Sequence, residues 1–259
     1  MKIVTFNANG IRSAARKGFY DWLSDSTPDI VCIQELKAQE DQLTDELFHP
    51  PGYQGYFHYA EKKGYSGTAI YTRQSPCDVS IGLGWDDFDS EGRCVRVDFE
   101  DLSILSIYLP SGTSSDDRQK FKEVILDRIQ PLLLKFQSDS RDYIICGDMN
   151  IAHKPVDLRN WRGNRKNSGF LPQERSWMDW LFGAAGFVDA FRVIDSRPGQ
   201  YTWWSNRGDA YAKNVGWRLD YHILSKRLKT AIESVEVYRA VKFSDHAPVT
   251  AEFDFSRAK

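Results

Sequence analysis

Four short polar motifs stand at the ends of strand-like segments, and their side chains suit hydrolysis at phosphorus. Asn7 and Glu35 occur near the start of the chain, residues 147–150 (Gly-Asp-Met-Asn) close an apolar run, and residues 244–246 (Ser-Asp-His) precede a short segment that ends in a strand pattern. Carboxylate and amide oxygens are ligands of a hard cation such as Mg²⁺, and Asp or His can transfer protons. With no cysteine among them, these residues predict a metal-assisted phosphate ester hydrolase, most simply a nuclease.

Each motif alone has a simpler explanation. Gly-Asp is a common turn pair, although Asp148 and Asn150, two residues apart on an extended segment, would also place both side chains on one face. A lone histidine is more often structural than catalytic. Asp245 beside His246, and Asp220 upstream, favour an Asp–His pair in which the carboxylate fixes the imidazole tautomer and stabilises its charge.

The two earliest residues have equally ordinary alternatives. Glu35 could face solvent at the end of a strand, and Asn7 with Asn9 could be loop formers before Gly10. The joint occurrence of all these polar residues at strand ends, rather than any one of them, predicts a preorganised site.

Apolar segments of strand length recur along the chain and must position these residues. They are rich in Val, Ile, Tyr and Thr, and several alternate as half-buried strands do. The predicted strands are 2–6, 30–34, 67–72, 95–99, 103–108, 143–146, 221–224 and 249–253. Helical periodicity occurs at 18–24, 117–136 and 173–181, and Pro131 should bend or restart the second helix. Hairpin-like strand groups mixed with helices predict an α/β sandwich with sheets inside and helices outside.

Composition favours one large domain. The 259 residues are 41% hydrophobic and contain no obvious linker or repeat, so we expect a single catalytic domain over 1–259. The chain enters a strand pattern at Lys2, so no signal peptide is expected, and no apolar stretch approaches the roughly 20 residues of a membrane span. The cysteines at 32, 77, 94 and 146 are far apart, which indicates free thiols in a reducing compartment. We therefore expect a cytoplasmic protein without membrane association.

The net charge of −2 does not indicate a polyanionic partner, but a local basic surface can suffice for one. Residues 159–167 are rich in Arg, Lys and Asn and contain no acid, and 213–218 is a shorter segment of the same kind. An ordinary solvated surface is the alternative. Of the nearby aromatic residues, which include Trp203, Trp204 and Trp217, at least half are expected in the core. Exposed ones could stack on a sugar or base, or wedge into a duplex.

Longer motifs around these residues resemble those of the exonuclease III family of apurinic/apyrimidinic endonucleases, within the endonuclease/exonuclease/phosphatase superfamily. The matching segments are TFNANGIR (5–12), IQELK (33–37), YLP (108–110), GDMNI (147–151), NRKNSGFLPQER (164–175), NVGWRLDY (214–221) and SDHAP (244–248). They extend along the whole chain in family order. The Glu, Asp-x-Asn and Ser-Asp-His motifs alone suggest the superfamily, whereas FLPQER and WRLDY are far more specific to its DNA-repair branch.

The resemblance implies a four-layer α/β sandwich, in which two packed mixed sheets are flanked by helices and the site lies at one edge of the sheets. It implies three groups of site residues: catalytic Tyr108, Asp148, Asn150, Asp220 and His246; metal-binding Asn7, Glu35, Asp148, Asn150, Asp245 and His246; and substrate-binding Asn164, Asn167, Gly169, Trp203, Trp217, Arg218 and Leu219.

Within that set the resemblance implies distinct roles. Glu35 would ligate Mg²⁺, and Asp148 would orient or deprotonate the attacking water. His246, held by Asp220, would bind the scissile phosphate with Tyr108 as a further donor. The aromatic and aliphatic substrate-binding residues would line a pocket for a sugar without a base.

The implied activity is Mg²⁺-dependent cleavage of DNA 5′ to an abasic site, with Mn²⁺ as an alternative ion, to leave a 3′-hydroxyl and a 5′-deoxyribose phosphate. The implied partner is double-stranded DNA with abasic sites or damaged 3′ ends, and a monomer suffices. An abasic nucleotide is easier to rotate out of a duplex than an intact one. The nearest alternative is a 3′→5′ exonuclease or 3′-phosphatase with the same site. More distant ones are a sphingomyelinase, an inositol phosphatase and a non-catalytic DNA-binding module.

Two positions bear on specificity. Ser111 follows the YLP motif where relatives often carry Asn or Gln, so its phosphate contact stays open. Gly169, near Asn167, leads to the hypothesis that a position without a side chain leaves room for DNA that continues past the site, which would favour internal cleavage. Gly169→His should then lower abasic-site incision relative to 3′ trimming.

Overall fold

Two six-stranded sheets form the interior of the structure, a computed structural model that describes residues 1–258. The strands are β1 (Lys2–Asn7), β2 (Ile30–Gln34), β3 (Gln54–His58), β4 (Thr68–Thr72), β5 (Asp78–Ile81), β6 (Cys94–Asp98), β7 (Leu102–Tyr108), β8 (Asp142–Asp148), β9 (Val188–Asp189), β10 (Trp203–Trp204), β11 (Gly216–Trp217), β12 (Asp220–Leu224), β13 (Ile232–Val237) and β14 (Val249–Phe253).

Both large sheets are mixed. The first has the order β13-β14-β1-β2-β4-β3 and the second β5-β6-β7-β8-β12-β9, while β10 and β11 form a separate two-stranded ribbon. Each large sheet contains one parallel pair, β1 with β2 and β7 with β8, among antiparallel neighbours.

Helices cover the outer faces of both sheets. They are α1 (Ile11–Arg16), α2 (Phe19–Ser26), α3 (Asp86–Asp89), α4 (Asp116–Ser138), α5 (Trp161–Asn164), α6 (Pro172–Phe182) and α7 (Ala190–Ile194). Phe19 of α2 packs with Phe6 of the first sheet, and Met178 of α6 packs with Ile145 of the second. Since alternate residues of a strand face opposite sides, the neighbouring positions of these strands point inward, where the two sheets share a core. The four layers confirm the predicted α/β sandwich.

The eight predicted strands are all present, with ends shifted by at most two residues, and so are the three predicted helices. The missed strands of the large sheets, β3, β5, β9 and β13, are their four edge strands. An edge strand is more exposed and lacks a continuous apolar run, as in β5, where no residue is buried. The prediction for Pro131 was wrong in one respect. Helix α4 continues from Asp116 to Ser138 without a restart, and the proline is exposed on it.

The cysteines are free, with Cys32, Cys94 and Cys146 buried and Cys77 exposed. Among residues 1–258, no helix combines the length and the apolar character that a membrane crossing requires.

Candidate active site

The topology brings the polar motifs to one edge of the sandwich. The parallel pairs β1–β2 and β7–β8 both end there, and the antiparallel strands β12 and β14 begin there. The residues at these strand ends are Asn7, Glu35, Tyr108, Asp148, Asp220 and, three residues before β14, His246. Asp220 lies directly opposite Asp148 in the second sheet. Strand direction therefore makes neighbours of residues that are far apart in the sequence.

A buried cluster of acids and one histidine forms the centre of the site. Ligand atoms of Glu35, Asp148 and His246 all lie within 4.8 Å of one another. His246 Nδ1 is 2.8 Å from Asp220 Oδ2, and His246 Nε2 is 3.7 Å from Asp148 Oδ2. The two aspartates and the histidine are nearly excluded from solvent, with exposures of 1%, 1% and 6%.

The surroundings shift the pKa values of His246 and Asp148. Burial alone would lower the pKa of His246, but the charges of Asp220 and Asp148 outweigh it and raise the pKa to about 10. Burial raises the pKa of Asp148 to about 7, with the charge of His246 opposing and that of Asp220 adding to the shift. At neutral pH the histidine is therefore an imidazolium, and Asp148 can gain or lose a proton.

Asn7 joins the carboxylates of the two sheets. Its Nδ2 donates to Glu35 Oε1 at 2.8 Å and to Asp148 Oδ2 at 2.9 Å, while its Oδ1 accepts the backbone N–H of Asn9 at 3.0 Å. The resemblance implied a metal contact for Asn7. In this arrangement its amide nitrogen links the two carboxylates, and the metal contact of Asn7 remains a prediction.

A second chain of contacts leads from Glu35 to Asp245. Lys37 Nζ lies 2.6 Å from Glu35 Oε2 and also donates to the side-chain oxygen of Asn9, whose Nδ2 donates to Asp245 Oδ1 at 2.8 Å. Trp203 Nε1 donates to the other oxygen of Asp245 at 3.2 Å. Asp245 thus borders the pocket but is not among the three closest ligand groups. The contact of Lys37 is a site feature that the predictions missed, although its position two residues after Glu35 was a signal for it.

Tyr108 is held at the site by a residue that the sequence did not reveal. Arg93 Nη1 donates to the carbonyl oxygen of Tyr108 at 2.8 Å, and its guanidinium lies 4.5 Å from the centre of the tyrosine ring. Burial, together with the charge of Glu35, raises the pKa of Tyr108 well above its usual range. The hydroxyl therefore stays protonated and remains a hydrogen-bond donor.

A pocket opens beside the cluster. Trp203, Trp217 and Leu219 form an apolar wall, and the rings of the two tryptophans meet edge to face with centroids 6.4 Å apart. The remaining lining comes from the cluster itself, from residues 111–113 and 166–169, and from Tyr108, Asn150 and Asp245. Ser111 and Asn167 both line it. Asn164 does not, but its Oδ1 accepts from Asn167 Nδ2 at 2.8 Å and so orients that side chain.

Gly169 is required by the backbone as well as by the pocket. Its φ is +91°, and a Cβ at this position would lie 3.1 Å from the carbonyl oxygen of Asn150 and 3.3 Å from the ring of Trp217. Any side chain here would strain the chain locally. The proposed effect of Gly169 on DNA that continues past the site remains a prediction, and Gly169→His alone cannot separate it from this strain.

The prediction that Arg218 contacts substrate was wrong. Its side chain is fully buried, and its guanidinium pairs with Asp157 at 2.8 Å and with Asp189 at 2.6 Å. Because side chains alternate along an extended segment, Trp217 and Leu219 face the pocket while Arg218 points to the opposite side. Arg218 supports the pocket wall from behind.

The basic segment 159–167 lies on the surface next to the pocket. Its Arg159, Arg162, Arg165 and Lys166 are exposed, and none of them pairs with a carboxylate within residues 1–258. Lys166 reaches the pocket rim. Unpaired cations at the mouth of an acidic site suit a polyanionic substrate that must approach it.

The donor set fits a hard divalent cation. Glu35 and Asp148 supply carboxylate oxygens, His246 supplies the third group, and no thiol is among them. Carboxylates outnumber cations in the cluster, and the pKa of Asp148 is raised mainly by burial, with the nearby charge of Asp220 adding to the shift. The cluster can therefore bind a metal ion.

Comparison with known proteins agrees with this geometry. Residues 4–246 match the Endonuclease/Exonuclease/phosphatase family. A Bacillus subtilis protein named exodeoxyribonuclease is 40% identical, over 96% of this chain and 98% of the relative. An AP endonuclease from Archaeoglobus fulgidus superposes with a TM-score of 0.87 at 30% identity, covering 98% of this chain and 99% of that one. A 3′-5′ exonuclease from Neisseria meningitidis superposes with a TM-score of 0.89 at 28% identity, covering 98% and 100%.

Proposed function

This chain belongs to the endonuclease/exonuclease/phosphatase family, and we propose that it is a DNA-repair hydrolase that cuts the backbone 5′ to abasic sites. The observation that carries the proposal is the combination of a buried Asp148–His246–Asp220 cluster with an apolar pocket wall beside it. The products would be a 3′-hydroxyl and a 5′-deoxyribose phosphate. One catalytic domain, residues 1–259, would supply the whole site.

The residues fit Mg²⁺, or Mn²⁺, as the cofactor. Glu35 and Asp148, with His246 close by, would hold it. When bound, the ion would offset the negative charge that develops on the phosphate oxygens.

The protein groups divide the proton chemistry between them. Asp148, with its pKa near neutrality, can accept a proton from the attacking water. His246 is kept charged by Asp220, so its Nε2–H can donate to a non-bridging phosphate oxygen. The hydroxyl of Tyr108 supplies a second donor. Asn150 is fixed because its Nδ2 donates to the carbonyl oxygen of Leu109 at 2.8 Å.

The pocket wall supplies the selectivity for damage. Trp203, Trp217 and Leu219 present apolar surface next to the phosphate-binding groups. A deoxyribose without a base can rotate into this space at lower cost than an intact nucleotide, because little stacking is lost. We infer that the apolar wall therefore favours abasic DNA.

The same groups would also process 3′ ends, and this is the second candidate function. It is favoured by relatives named exodeoxyribonuclease and 3′-5′ exonuclease. Double-stranded DNA is the partner in either case. We further propose that the protein acts as a monomer in the reducing cytoplasm, where buried free thiols such as Cys32 and Cys146 persist.

Three labelled duplexes test the proposal: one with an internal abasic analogue, one intact with a recessed 3′ end, and one with a 3′-phosphate at a nick. Each is incubated with Mg²⁺ and, in parallel, with a chelator. Dominant Mg²⁺-dependent incision on the 5′ side of the abasic residue is expected. Dominant trimming or phosphate release would contradict abasic-site incision as the main activity and support 3′-end processing. No cleavage of any duplex would contradict both candidate functions.

A further inference from the structure

A fully buried ion pair lies behind the pocket and has no part in the chemistry above. Lys122 of α4 and Glu174 of α6 are both 0% exposed, and Lys122 Nζ lies 2.5 Å from Glu174 Oε1. Glu174 belongs to the FLPQER motif, to which the proposed reaction assigns no task. Burying two charges carries a large desolvation cost that their attraction must offset, so such a pair is a weak source of stability by itself.

Lys122 reaches the turn that carries the catalytic residues. Its Nζ donates to the carbonyl oxygen of Asn150 at 2.8 Å. Asn150 has a φ of 52°, a conformation that non-glycine residues rarely adopt, and its backbone N–H donates to Asp148 Oδ1 at 2.8 Å. The ammonium group therefore stabilises the strained residue whose own N–H orients the carboxylate of Asp148.

Glu174 reaches the loop that lines the pocket. Its Oε2 accepts the backbone N–H of Gly169 at 2.7 Å and that of Leu171 at 2.9 Å. The contact with Leu171 alone would be ordinary capping at the start of α6, which a neutral side chain could provide. The contact with Gly169 lies outside the helix, in the segment that also presents Asn167 to the pocket.

We propose that Lys122 and Glu174 are positioning residues that fix the catalytic turn at 148–150 relative to the substrate loop at 167–169. One ion pair contacts both segments through Asn150 and Gly169, so a change in either charge displaces one segment against the other. Displacement of about 1 Å can reduce a rate by roughly a hundredfold. This inference rests on the proposed function only for the choice of substrate.

The test compares Lys122→Met and Glu174→Gln with the wild-type protein. The rate of a single turnover is measured at saturating abasic DNA with Mg²⁺, and the DNA dissociation constant is measured in chelator. We expect Lys122→Met to lower the rate roughly tenfold to a hundredfold while the dissociation constant changes little. Glu174→Gln should lower the rate and also weaken binding, because the single amide oxygen cannot accept both from Lys122 and from the Gly169 and Leu171 N–H groups, which loosens the substrate loop. The double variant should be little worse than the more impaired single one, since the pair acts as a unit.

Matched controls separate positioning from a general loss of stability. Leu133→Ala in α4 and Met178→Ala in α6 remove buried apolar side chains from the same two helices. They should lower the unfolding temperature and leave the single-turnover rate of the folded protein unchanged. If Lys122→Met and Glu174→Gln behave as these controls do, the proposal is wrong.

Two further measurements keep the test decisive. Where a single variant does not fold, Lys122→Met combined with Glu174→Leu leaves no unpaired buried charge, and a wild-type rate in that protein would contradict the proposal. Hydrogen exchange at the Gly169 amide needs no substrate and should be faster in Glu174→Gln, whereas unchanged exchange would overturn the role of Glu174. If the wild-type protein trims 3′ ends instead, the proposed function fails, and the same rate ratios are measured on that substrate.

Discussion

Two buried charged clusters lie on opposite sides of the pocket wall, and they differ in their balance of charge. In one, Asp157 accepts from Arg218 and Arg192, and Arg218 also pairs with Asp189. Burial would raise the pKa of Asp157, but the charge of Arg218, followed by that of Arg192, outweighs it and lowers the pKa to about 2. In the other, burial raises the pKa of Asp148 to about 7.

The difference shows what separates a scaffold from an active site in this molecule. Two guanidinium groups match the two carboxylates of the Arg218 cluster, so its charges are satisfied and its protons are fixed. The cluster around Asp148 gathers more carboxylates than cations, which suits a positive ion, and burial brings the pKa of Asp148 close to neutral. Balanced charge holds the wall in place, and we propose that the unbalanced cluster performs the chemistry.

The largest effect is expected from Asp148→Asn. Loss of the proton acceptor should lower the single-turnover rate of abasic-site incision by roughly 10²–10⁴-fold. The unfolding temperature should stay the same or rise, because a buried carboxylate with a raised pKa costs stability at neutral pH. Incision assays and thermal unfolding on one preparation check both. Near-normal incision would contradict the proposal that Asp148 accepts the proton of the attacking water.

Asp157→Asn should have the opposite effect on stability and lower it. Removing one partner of a buried ion pair leaves a charge without compensation, so we expect a loss of about 3–5 kcal/mol in the free energy of unfolding. The folded pKa of Asp157 lies below its unfolded value. The contribution of Asp157 to the free energy of unfolding is therefore fully present above pH 3.8 and is lost as the pH falls through about 2. Denaturant unfolding at several pH values measures this.

The control for that loss is the exposed pair Arg128–Asp87, whose side chains are 33% and 49% accessible. Asp87→Asn should cost less than about 1 kcal/mol, because solvent screens such pairs. Equal losses in Asp157→Asn and Asp87→Asn would contradict the contrast between a buried scaffold cluster and a surface ion pair.

His222 is a third case, which can be compared with the two clusters because it is buried and titratable but has no charged partner. Its Nε2 lies 3.2 Å from the carbonyl oxygen of Ile3 across the two sheets, and burial lowers its pKa to about 4. In the unfolded chain this histidine takes up a proton near pH 6.5, whereas in the folded protein it stays neutral down to about pH 4. The free energy of unfolding should therefore decrease by roughly 3 kcal/mol as the pH falls from 6.5 to 4. His222→Gln should flatten this slope in urea unfolding, and an unchanged slope would show that other groups cause it.

The central strands, and the side chains that meet at their ends, could be predicted from sequence, because apolar runs end at Asp148, Glu35 and Asn7 in ways that local patterns reveal. Edge strands such as β5 could not, since their exposure removes the pattern. Arg218 was misassigned because basic character does not reveal the face of a strand to which a side chain points.

Contacts between elements that are distant in the chain also could not be predicted from the sequence. Lys122 and Glu174 are 52 positions apart, and only the packing of α4 against α6 brings them together. The direction of the Asn7 amide depends on the N–H of Asn9, which no motif records. Sequence patterns show which groups are present, and packing decides which of them meet.

The most direct measurement is the thermal unfolding of the protein without DNA as Mg²⁺ is added. Binding at 100 times the dissociation constant would stabilise the folded state by about 2.7 kcal/mol. We expect Mg²⁺ to raise the unfolding temperature of the wild-type protein and of Asp157→Asn, and to have no such effect on Glu35→Gln. An equal rise in Glu35→Gln, or none in the wild-type protein, would contradict the proposal that the cluster of Glu35, Asp148 and His246 is the metal-binding active site.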